Sequence, residues 1–333
     1  MKIILLLAVT VILFLLDIFL GSVALSPSDV FNALFDGGGE AATIVMKFRI
    51  PKAITALVVG IALSVSGLQM QTIFRNPMAG PYVLGISAGA SLGVAFLVLG
   101  FSAFSISTII TGAGNWLIVA AAWSGAGLVM LLIMFISSRV RDIMTVLILG
   151  IMISSAISAV VTIMQYFSHE SLLKAYVIWT MGSLGNLTGS QLEVLIVSVS
   201  AGVVLSLFSV KMLNALLLGE NYAASIGMNI LLARTLIFVS TSILAGSVTA
   251  FCGPIGFIGI AVPHLVRIIF RRSDHRILIP GTIITGGAVM LASDIISQLP
   301  GSEMMLPINA VTSLIGIPIV IWIIIRNNKY PEM

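Results

Sequence analysis

The chain has 333 residues, of which 59% are hydrophobic and only 8% are charged, with a formal net charge of +4. A soluble globular domain has about 25% charged residues, so this composition excludes a water-covered surface and predicts an integral membrane protein. In such a protein the excess of cations is informative through its position along the chain, and does not indicate nucleic-acid binding. The single cysteine, Cys252, excludes an internal disulfide and a cysteine-based metal cluster within one chain.

Apolar segments long enough to cross a bilayer, which takes about 20 residues each, recur along the whole sequence. The ten predicted spans are Ile3–Leu25, Ala53–Ile73, Leu84–Phe101, Trp116–Ser137, Ile143–Tyr166, Leu192–Phe208, Thr235–Phe251, Ile255–Phe270, Ile277–Ser297 and Ile308–Ile325. We interpret the first as a retained helix, because it is long for a cleaved signal peptide and no small-residue cleavage site follows it. The sequence predicts an all-α membrane protein with about ten transmembrane helices in one domain, residues 1–333.

The positions of the cations support this number of helices and indicate an orientation. With the N-terminus inside, twelve cations fall on inside segments and four on outside segments, which follows the positive-inside bias. The inside cations are Lys2, Arg75, Arg139, Arg141, Lys211, Arg234, Arg267, Arg271, Arg272, Arg276, Arg326 and Lys329, and the outside cations are Lys47, Arg49, Lys52 and Lys174. The prediction is a multi-pass protein with both termini in the cytoplasm.

The segment from Arg49 to Gly93 predicts a tightly packed helix hairpin. Proline disfavours the helical conformation of the residue before it, so Asn76-Pro77 marks a turn between two apolar helices. Three glycines in the second helix lie four residues apart, on nearly one face, where a neighbouring backbone can approach closely. The residues assigned to helix packing and the translocation path are Gly67, Gln71, Arg75, Asn76, Pro77, Gly85, Gly89 and Gly93.

The loop between the sixth and seventh spans, residues 211–234, contains a polar stretch that predicts a short surface helix. The helix would start near Gly219 and end at Gly227, since glycine commonly ends helices. A solvated loop could be as polar, but it would not need small residues between two glycines, so we favour an element that docks into a groove of a partner. The residues assigned to this element are Gly219, Glu220, Asn221, Ala223, Ala224 and Gly227.

Two carboxylates fall within predicted spans, where charged groups are costly and are functional candidates by default. Asp17 lies in the first span, and we favour a contact with a neighbouring helix because one lone carboxylate makes a poor proton relay. Asp294 lies near the outer end of the ninth span. For Asp294, a role facing a central cavity and a hydrogen-bonding role within the bundle both stay open.

The remaining candidates for chemistry favour structural roles. His264 and Arg267 lie one helical turn apart with no further ligand pattern, which favours a hydrogen-bonded histidine at a helix end over a metal site. The 16 methionines are typical of core filling rather than of copper or haem binding. No G-x-x-x-x-G-K-[ST] motif occurs, so any nucleotide chemistry belongs to another chain. We therefore expect no metal, no bound cofactor and no enzymatic activity.

Taken in order, the motifs of this chain resemble those of permease subunits of ATP-binding-cassette (ABC) importers for iron-siderophores, haem and vitamin B12, the FecCD/BtuC type. The matching stretches are Arg49-Ile50-Pro51-Lys52, Ser66-Gly67 with Met70-Gln71, Arg75-Asn76-Pro77-Met78-Ala79-Gly80-Pro81 with Leu84-Gly85, Gly219-Glu220 with Ala223 and Ile226-Gly227, Gly253-Pro254-Ile255-Gly256-Phe257-Ile258-Gly259, Pro263-His264-Leu265-Val266-Arg267, Asp274-His275-Arg276 through Pro280, Asp294, and Leu306-Pro307 with Thr312, Gly316 and Pro318. Each motif alone is weak, whereas the ordered set spans nearly the whole chain and is specific.

The resemblance implies a type II ABC importer permease fold, present as a homodimer in the bacterial cytoplasmic (inner) membrane with the translocation path at the dimer interface. Two cytoplasmic ATPase subunits, which hold ATP and Mg, would dock on the loop matching Gly219–Gly227. A periplasmic or lipid-anchored substrate-binding protein would dock on cations matching Arg49 and Lys52. Where the vitamin B12 type has an arginine, this chain has Gln298, so that docking contact is expected to be weaker or replaced.

The resemblance predicts an ATP-driven importer of a metal chelate. Ferric siderophore is the first choice because that cargo is the commonest in the family, and cobalamin and haem follow. The family's E-L-P-x-G reads Met305-Leu306-Pro307-Ile308-Asn309 here, which makes it unsafe to carry over a substrate. The alternative from another class is an ion-coupled secondary transporter that uses Asp17 and Asp294, and a membrane-embedded enzyme ranks third.

Overall fold

The computed structural model describes residues 1–21, 23, 25–35, 39–100, 116–299 and 305–328. Within these residues all regular structure is helical, and seven helices are long and apolar enough to cross a membrane. Three shorter apolar helices bring the number of apolar helices in the described chain to ten, seven plus three. The predicted fold class, an all-α membrane protein of about ten transmembrane helices, is confirmed.

The helices are numbered in chain order. They are α1 Lys2–Phe19, α2 Pro27–Phe35, α3 Gly39–Ile44, α4 Ile50–Ile73, α5 Ile86–Ala95, α6 Trp116–Arg139, α7 Ile143–Tyr166, α8 Glu170–Thr180, α9 Gly189–Phe208, α10 Val210–Leu217, α11 Glu220–Ser225, α12 Ile230–Cys252, α13 Ile258–Phe270, α14 His275–Ser297 and α15 Ile308–Asn328. One π-helical turn, Val45–Arg49, joins α3 to α4, and another, Phe96–Gly100, follows α5.

Most predicted spans coincide with a helix to within a few residues. The first differs most, since its predicted end is Leu25 whereas α1 ends at Phe19. The third, predicted to begin at Leu84, begins at Ile86 because a 3₁₀ turn, Pro81–Leu84, precedes α5. Its predicted end, Phe101, lies outside the described residues, as does the predicted inside cation Lys329, while the side chain of Arg326 is not described. Helices α2, α3, α8 and α10 were not predicted, because each is shorter than a span and lies in a connecting segment.

Helix α4 is the centre of the bundle and packs against α9, α12, α13 and α14. Small residues allow this contact to be close. A Cβ added to Gly60 would overlap the carbonyl of Gly286 in α14, and one added to Gly67 would overlap the carbonyl of Gly259 in α13. The backbone of α4 therefore contacts the backbones of α13 and α14. Such close packing is expected in a membrane, because the hydrophobic effect does not drive helices together in lipid.

Helix α5 packs on α6 through a second set of small residues. Gly89 faces the backbone of Gly125, and Gly93 faces the backbone of Ala121, so the four-residue spacing is used against one neighbour. Gly85 caps the start of α5 with φ +78°, a left-handed conformation that residues with a Cβ rarely adopt. These contacts bring the end of the hairpin against α6.

The Arg75-Asn76-Pro77 turn lies between α4 and the 3₁₀ turn that precedes α5. Asn76 donates its backbone N–H to the carbonyl of Gln71 at 3.1 Å, and its side-chain oxygen accepts from the backbone N–H of Met78 at 2.9 Å. Arg75 has φ +46°. The polar side chain thus supplies the hydrogen bonds that the helix loses before the proline.

Helix α6 offers a matched pair of glycines that tests this packing. A Cβ at Gly125 would overlap the carbonyl of Gly89, whereas a Cβ at Gly127 has nothing within 4 Å. We expect Gly125→Ala to lower the free energy of unfolding by about 1–3 kcal/mol, because α5 must move away. Gly127→Ala should be neutral or stabilising, since alanine favours helix more than glycine does. Thermal unfolding of the purified protein in detergent measures both, and equal Tm values for the two variants would contradict close α5–α6 packing.

Candidate functional site

Two polar clusters lie at opposite ends of the bundle. One surrounds α11 and the end of α4, and we call it the α11 end; the other surrounds the start of α4, and we call it the Lys52 end. In the orientation predicted from the cations, the α11 end faces the cytoplasm. Asp274, the N-cap of α14, belongs to the α11 end, and Asp294 near the end of the same helix belongs to the Lys52 end.

Helix α11 has the bounds that its two glycines predict. Gly219 precedes it with φ +104°, and Gly227 follows it with φ +86°, conformations for which glycine is the default residue. The backbone N–H of Ala223 donates to the carbonyl of Gly219 at 3.0 Å, and Ala223 is fully buried. Asn221 and Ala224 are exposed. One face of α11 is therefore anchored, and the other is free for a partner.

Glu220 at the start of α11 forms an ion pair with Arg234 in the first turn of α12. Arg234 donates from Nε and Nη2 to the two carboxylate oxygens of Glu220, at 2.8 and 2.6 Å. The same guanidinium donates to the carbonyls of Val140 at 3.0 Å, of Arg141, and of Ser137 at 3.5 Å. Since Arg234 is only 4% exposed, this ion pair is an internal contact between α11, α12 and the end of α6.

The turn after α4 lies beside α11. A Cβ placed on Gly219 would lie 3.3 Å from Nη1 of Arg75, so the two predicted motifs meet in space. His264 in α13 has its Nε2 2.8 Å from the carbonyl of Pro77, a hydrogen bond that satisfies its ring. Within the described residues, no group of three or more histidine, cysteine or acidic side chains could hold a metal ion.

Gln71 connects the same turn to α13. Its Nε2 donates to the carbonyl of Ile260 at 3.1 Å, and its Oε1 accepts from the guanidinium of Arg267. His264 lies in the middle of α13 rather than at the helix end that the sequence favoured, and its ring contacts the carbonyl of Pro77 in the same turn. Gln71, His264 and Arg267 therefore act together to fix α13 against the end of α4, which is the structural role favoured for His264.

Helix α10 contributes a hydrogen-bonded link that sequence reasoning missed. The Asn214 amide donates to Asp274 at 2.7 Å, and its oxygen accepts from the backbone N–H of His275 at 2.9 Å. The His275 ring in turn contacts the Thr72 hydroxyl at 2.8 Å. Hydrogen bonds from the backbone N–H of Arg276 and from Asn214 lower the pKa of Asp274. No local pattern marks Asn214, because its partners lie 60 residues or more away in the chain.

At the Lys52 end, four side chains from three helices form one buried network. Gln298 donates its amide to Asp17 at 2.8 Å and to Asp294 at 3.0 Å. The Lys52 ammonium lies 3.1 Å from Asp294. Asp17 is 2% exposed and Asp294 1%. The Asp17 result agrees with the favoured contact to a neighbouring helix, and Asp294 hydrogen-bonds within the bundle at the wall of a cavity.

Arg49 binds backbone carbonyls at the end of α1 and just after it. Its Nη1 donates to the carbonyls of Ile18 and Phe19, both at 2.9 Å, and its Nη2 donates to the carbonyl of Val23 at 2.6 Å. The last carbonyls of a helix have no partner within the helix, and a cation there is also favoured by the helix dipole. Arg49 is 7% exposed, so in this chain its guanidinium is committed to α1. Its role in docking a binding protein stays a prediction.

A cavity of about 790 Å³ opens at the Lys52 end. Lys52, Asp294 and Gln298 of the network line it together with aromatic and aliphatic side chains of several helices. Its lining includes Phe48, Arg49, Lys52, Trp179, Gln191, Phe251, Asp294, Gln298, Met305 and Ile308. The predicted docking residues Arg49, Lys52 and Gln298 thus meet around one cavity, which their separation in the sequence did not indicate.

Gln69, inside α4, is a further buried polar residue that the sequence did not single out. Its amide donates to the hydroxyl of Ser240 at 3.0 Å, and its oxygen accepts from Thr241 at 3.0 Å. Ser240 also donates to the carbonyl of Gly202 in α9 at 2.9 Å. The sequence could have indicated Gln69, because it is a glutamine within an apolar span, other spans carry hydroxyl groups, and a buried amide needs hydrogen-bond partners.

The ion pair at the Lys52 end predicts a specific pattern of stability. Lys52→Met leaves the carboxylate of Asp294 buried without its cation, and we expect a loss of about 3 kcal/mol of stability. Adding Asp294→Asn should restore part of that loss, because the neutral amide needs no counter-charge. The exposed Lys47 provides the control: Lys47→Met should leave Tm unchanged. Additive losses in the double variant, measured by thermal unfolding, would show that the two groups do not interact.

Comparison with known proteins shows which family this chain is similar to. The model of the FecCD transport family matches residues 9–326. The hemin transport system permease protein HmuU of Yersinia pestis is 34% identical over 286 residues, which cover 85% of this chain and 84% of HmuU. The vitamin B12 import system permease protein BtuC of Citrobacter koseri is 32% identical over 308 residues, which cover 92% of this chain and 88% of BtuC.

Solved structures agree. A chain of a metal-chelate type ABC transporter in an inward-facing conformation superposes with a TM-score of 0.83 at 26% identity, covering 97% of this chain and 98% of that one. PsaBC from Streptococcus pneumoniae, with a TM-score of 0.56 at 17% identity, shares the fold alone. Since the family model covers nearly the whole chain and relatives above 30% identity span most of it, the chain belongs to the FecCD transport family of ABC transporter permeases, whose members are transport subunits rather than enzymes.

Proposed function

We propose that this chain is the membrane permease of an ATP-driven importer that moves a metal chelate into the cell. The observation that carries the proposal is α11, a six-residue helix between two left-handed glycines that exposes small residues and is tied to the bundle through Glu220. Such an element suits a groove on an ATPase better than it suits a transporter working alone. Membership of an ABC permease family supports the same partner.

The proposed assembly is a homodimer in the bacterial inner membrane, with the translocation path between the two copies. Two cytoplasmic ATPase subunits bind the exposed side of α11 and hold ATP and Mg. Leu218, Tyr222 and Ile226 around α11 are 63%, 48% and 58% exposed, an apolar surface that a partner would cover. Both termini lie in the cytoplasm, in keeping with the inside bias of the cations.

A substrate-binding protein docks at the Lys52 end, where Arg49, Lys52 and Gln298 surround the cavity of about 790 Å³. Arg49 donates to the carbonyls of Ile18, Phe19 and Val23, and Lys52 pairs with Asp294, so both cations would share these internal partners with a docked binding protein. Gln298, at the position where the vitamin B12 type has arginine, supplies no charge.

The cargo is a metal chelate. Ferric siderophore is our first choice because that cargo is the commonest in the family. Haem and cobalamin come next, since the relatives HmuU and BtuC are a hemin and a vitamin B12 permease. In the described part of the chain, no three or more histidine, cysteine or acidic side chains form a metal site, and we expect the metal to travel inside its chelator. Selectivity would then lie mainly in the binding protein, because a large chelate needs a wide and weakly binding path.

The ion-coupled alternative is not favoured by the geometry of its two carboxylates. Asp17 and Asp294 both accept a hydrogen bond from Gln298, and Asp294 also pairs with Lys52. Groups held in this way connect helices α1, α4 and α14. A proton or sodium relay would instead need carboxylates that release these partners during each cycle.

Reconstitution tests the proposal directly. Proteoliposomes that contain this chain, its partner ATPase and its binding protein would be given a ferric siderophore, cobalamin or haem. We expect one cargo to accumulate only with hydrolysable ATP. Ala224→Trp should abolish that uptake, because a large side chain on the exposed face of α11 prevents seating in a groove.

The matched control is Ser138→Trp, which places the same side chain on an exposed residue at the end of α6. It should transport like the unmodified protein. Uptake that persists without the ATPase, and that collapses when ionophores remove the ion gradients, would contradict the proposal and favour the secondary transporter.

A further inference from the structure

One guanidinium group joins the short helix α11 to two long helices of the bundle. Arg234 belongs to α12, and its guanidinium donates hydrogen bonds to both carboxylate oxygens of Glu220, the first residue of α11. Its remaining N–H groups reach the carbonyls of Val140 and Arg141, directly after α6. Since Arg234 is 4% exposed, its guanidinium lies inside the protein and serves an internal contact.

The family resemblance places attachment to the bundle and contact with the ATPase on the same short helix, whereas the geometry assigns these two roles to different residues of α11. Both carboxylate oxygens of Glu220 accept from Arg234, so the charge of Glu220 is neutralised within the chain. Asn221 and Ala224, on the other side of α11, are exposed and have no such commitment. Contact with a partner therefore falls to the exposed side, and attachment to the bundle falls to Glu220.

The attachment has to be rigid for motion to pass through it. A helix of six residues is too short to be stable by itself, so its position depends on its contacts. A bidentate arginine–carboxylate pair has a fixed planar geometry, unlike the single-point contact of lysine. The elements that it joins are themselves tightly packed, α6 on α5 through Gly89 and Gly125, and α12 on α4 through Gln69.

We propose that the Glu220–Arg234 pair is the link that carries displacement of α11 into α6 and α12, which makes Arg234 a positioning residue for transport. The inference rests on the proposed function, in which an ATPase moves α11. Loss of the pair would leave α11 able to bind the ATPase but unable to move the helices at the same amplitude. Hydrolysis would continue while less cargo crosses per ATP.

The test compares Glu220→Gln and Arg234→Lys with the unmodified protein in the complete reconstituted complex. We expect both variants to bind the ATPase normally and to transport about three- to tenfold less cargo per ATP hydrolysed. Arg272→Gln is the control, because it removes an exposed cation from the same end of the bundle and lies outside the Glu220–Arg234 link. Its ratio of transport to hydrolysis should stay unchanged.

Thermal unfolding of the same samples separates coupling from folding. Glu220→Gln is expected to lower Tm, because it leaves the buried Arg234 without its counter-charge, so transport and hydrolysis are compared at a temperature at which the variant stays folded. An unchanged transport ratio in both variants would overturn the proposal. Loss of ATPase binding by Glu220→Gln would also overturn it, since Glu220 would then contact the partner directly. If the unmodified complex showed no ATP-dependent uptake of any cargo, the proposed function itself would fail, independently of this pair.

Discussion

The structure depends on close backbone contact between helices that have almost no side chain between them. Gly60 and Gly67 let α4 touch α14 and α13, and Gly89 lets α5 touch α6. Moving an apolar side chain from lipid into a helix interface gains no hydrophobic free energy. Packing contacts and hydrogen bonds therefore hold such helices together. Glycine on one face satisfies this requirement because it brings two backbones within van der Waals contact.

Polar links complete the bundle at the two ends and in the middle. Lys52, Asp294, Gln298 and Asp17 join α4, α14 and α1 at one end, while Glu220 and Arg234 join α11 to the bundle at the other. Between them, Gln69 joins α4 to α12. Each link pairs groups that would be costly to bury alone, so each constrains the relative position of two or more helices.

The two ends of the bundle differ in which side chains are available to a partner. At the α11 end, Glu220 and Arg234 bind each other, and α11 itself exposes uncharged residues, among them Asn221, Tyr222 and Ala224. At the Lys52 end, the cations line a cavity while holding buried partners. The buried charges at both ends thus serve contacts between helices.

The sequence by itself determined the membrane class, the number of apolar helices, the turn at Asn76-Pro77 and the bounds of α11. These features depend on local composition, on proline and glycine, and on spacing along one segment. Only the tertiary structure decided which polar groups meet. Arg234 is an inside cation when counted along the chain, yet folding brings it to Glu220, Val140 and Arg141. Asp17 and Gln298 are 281 residues apart in sequence and 2.8 Å apart in space. Contacts of this kind depend on how helices pack, and no local pattern contains that information.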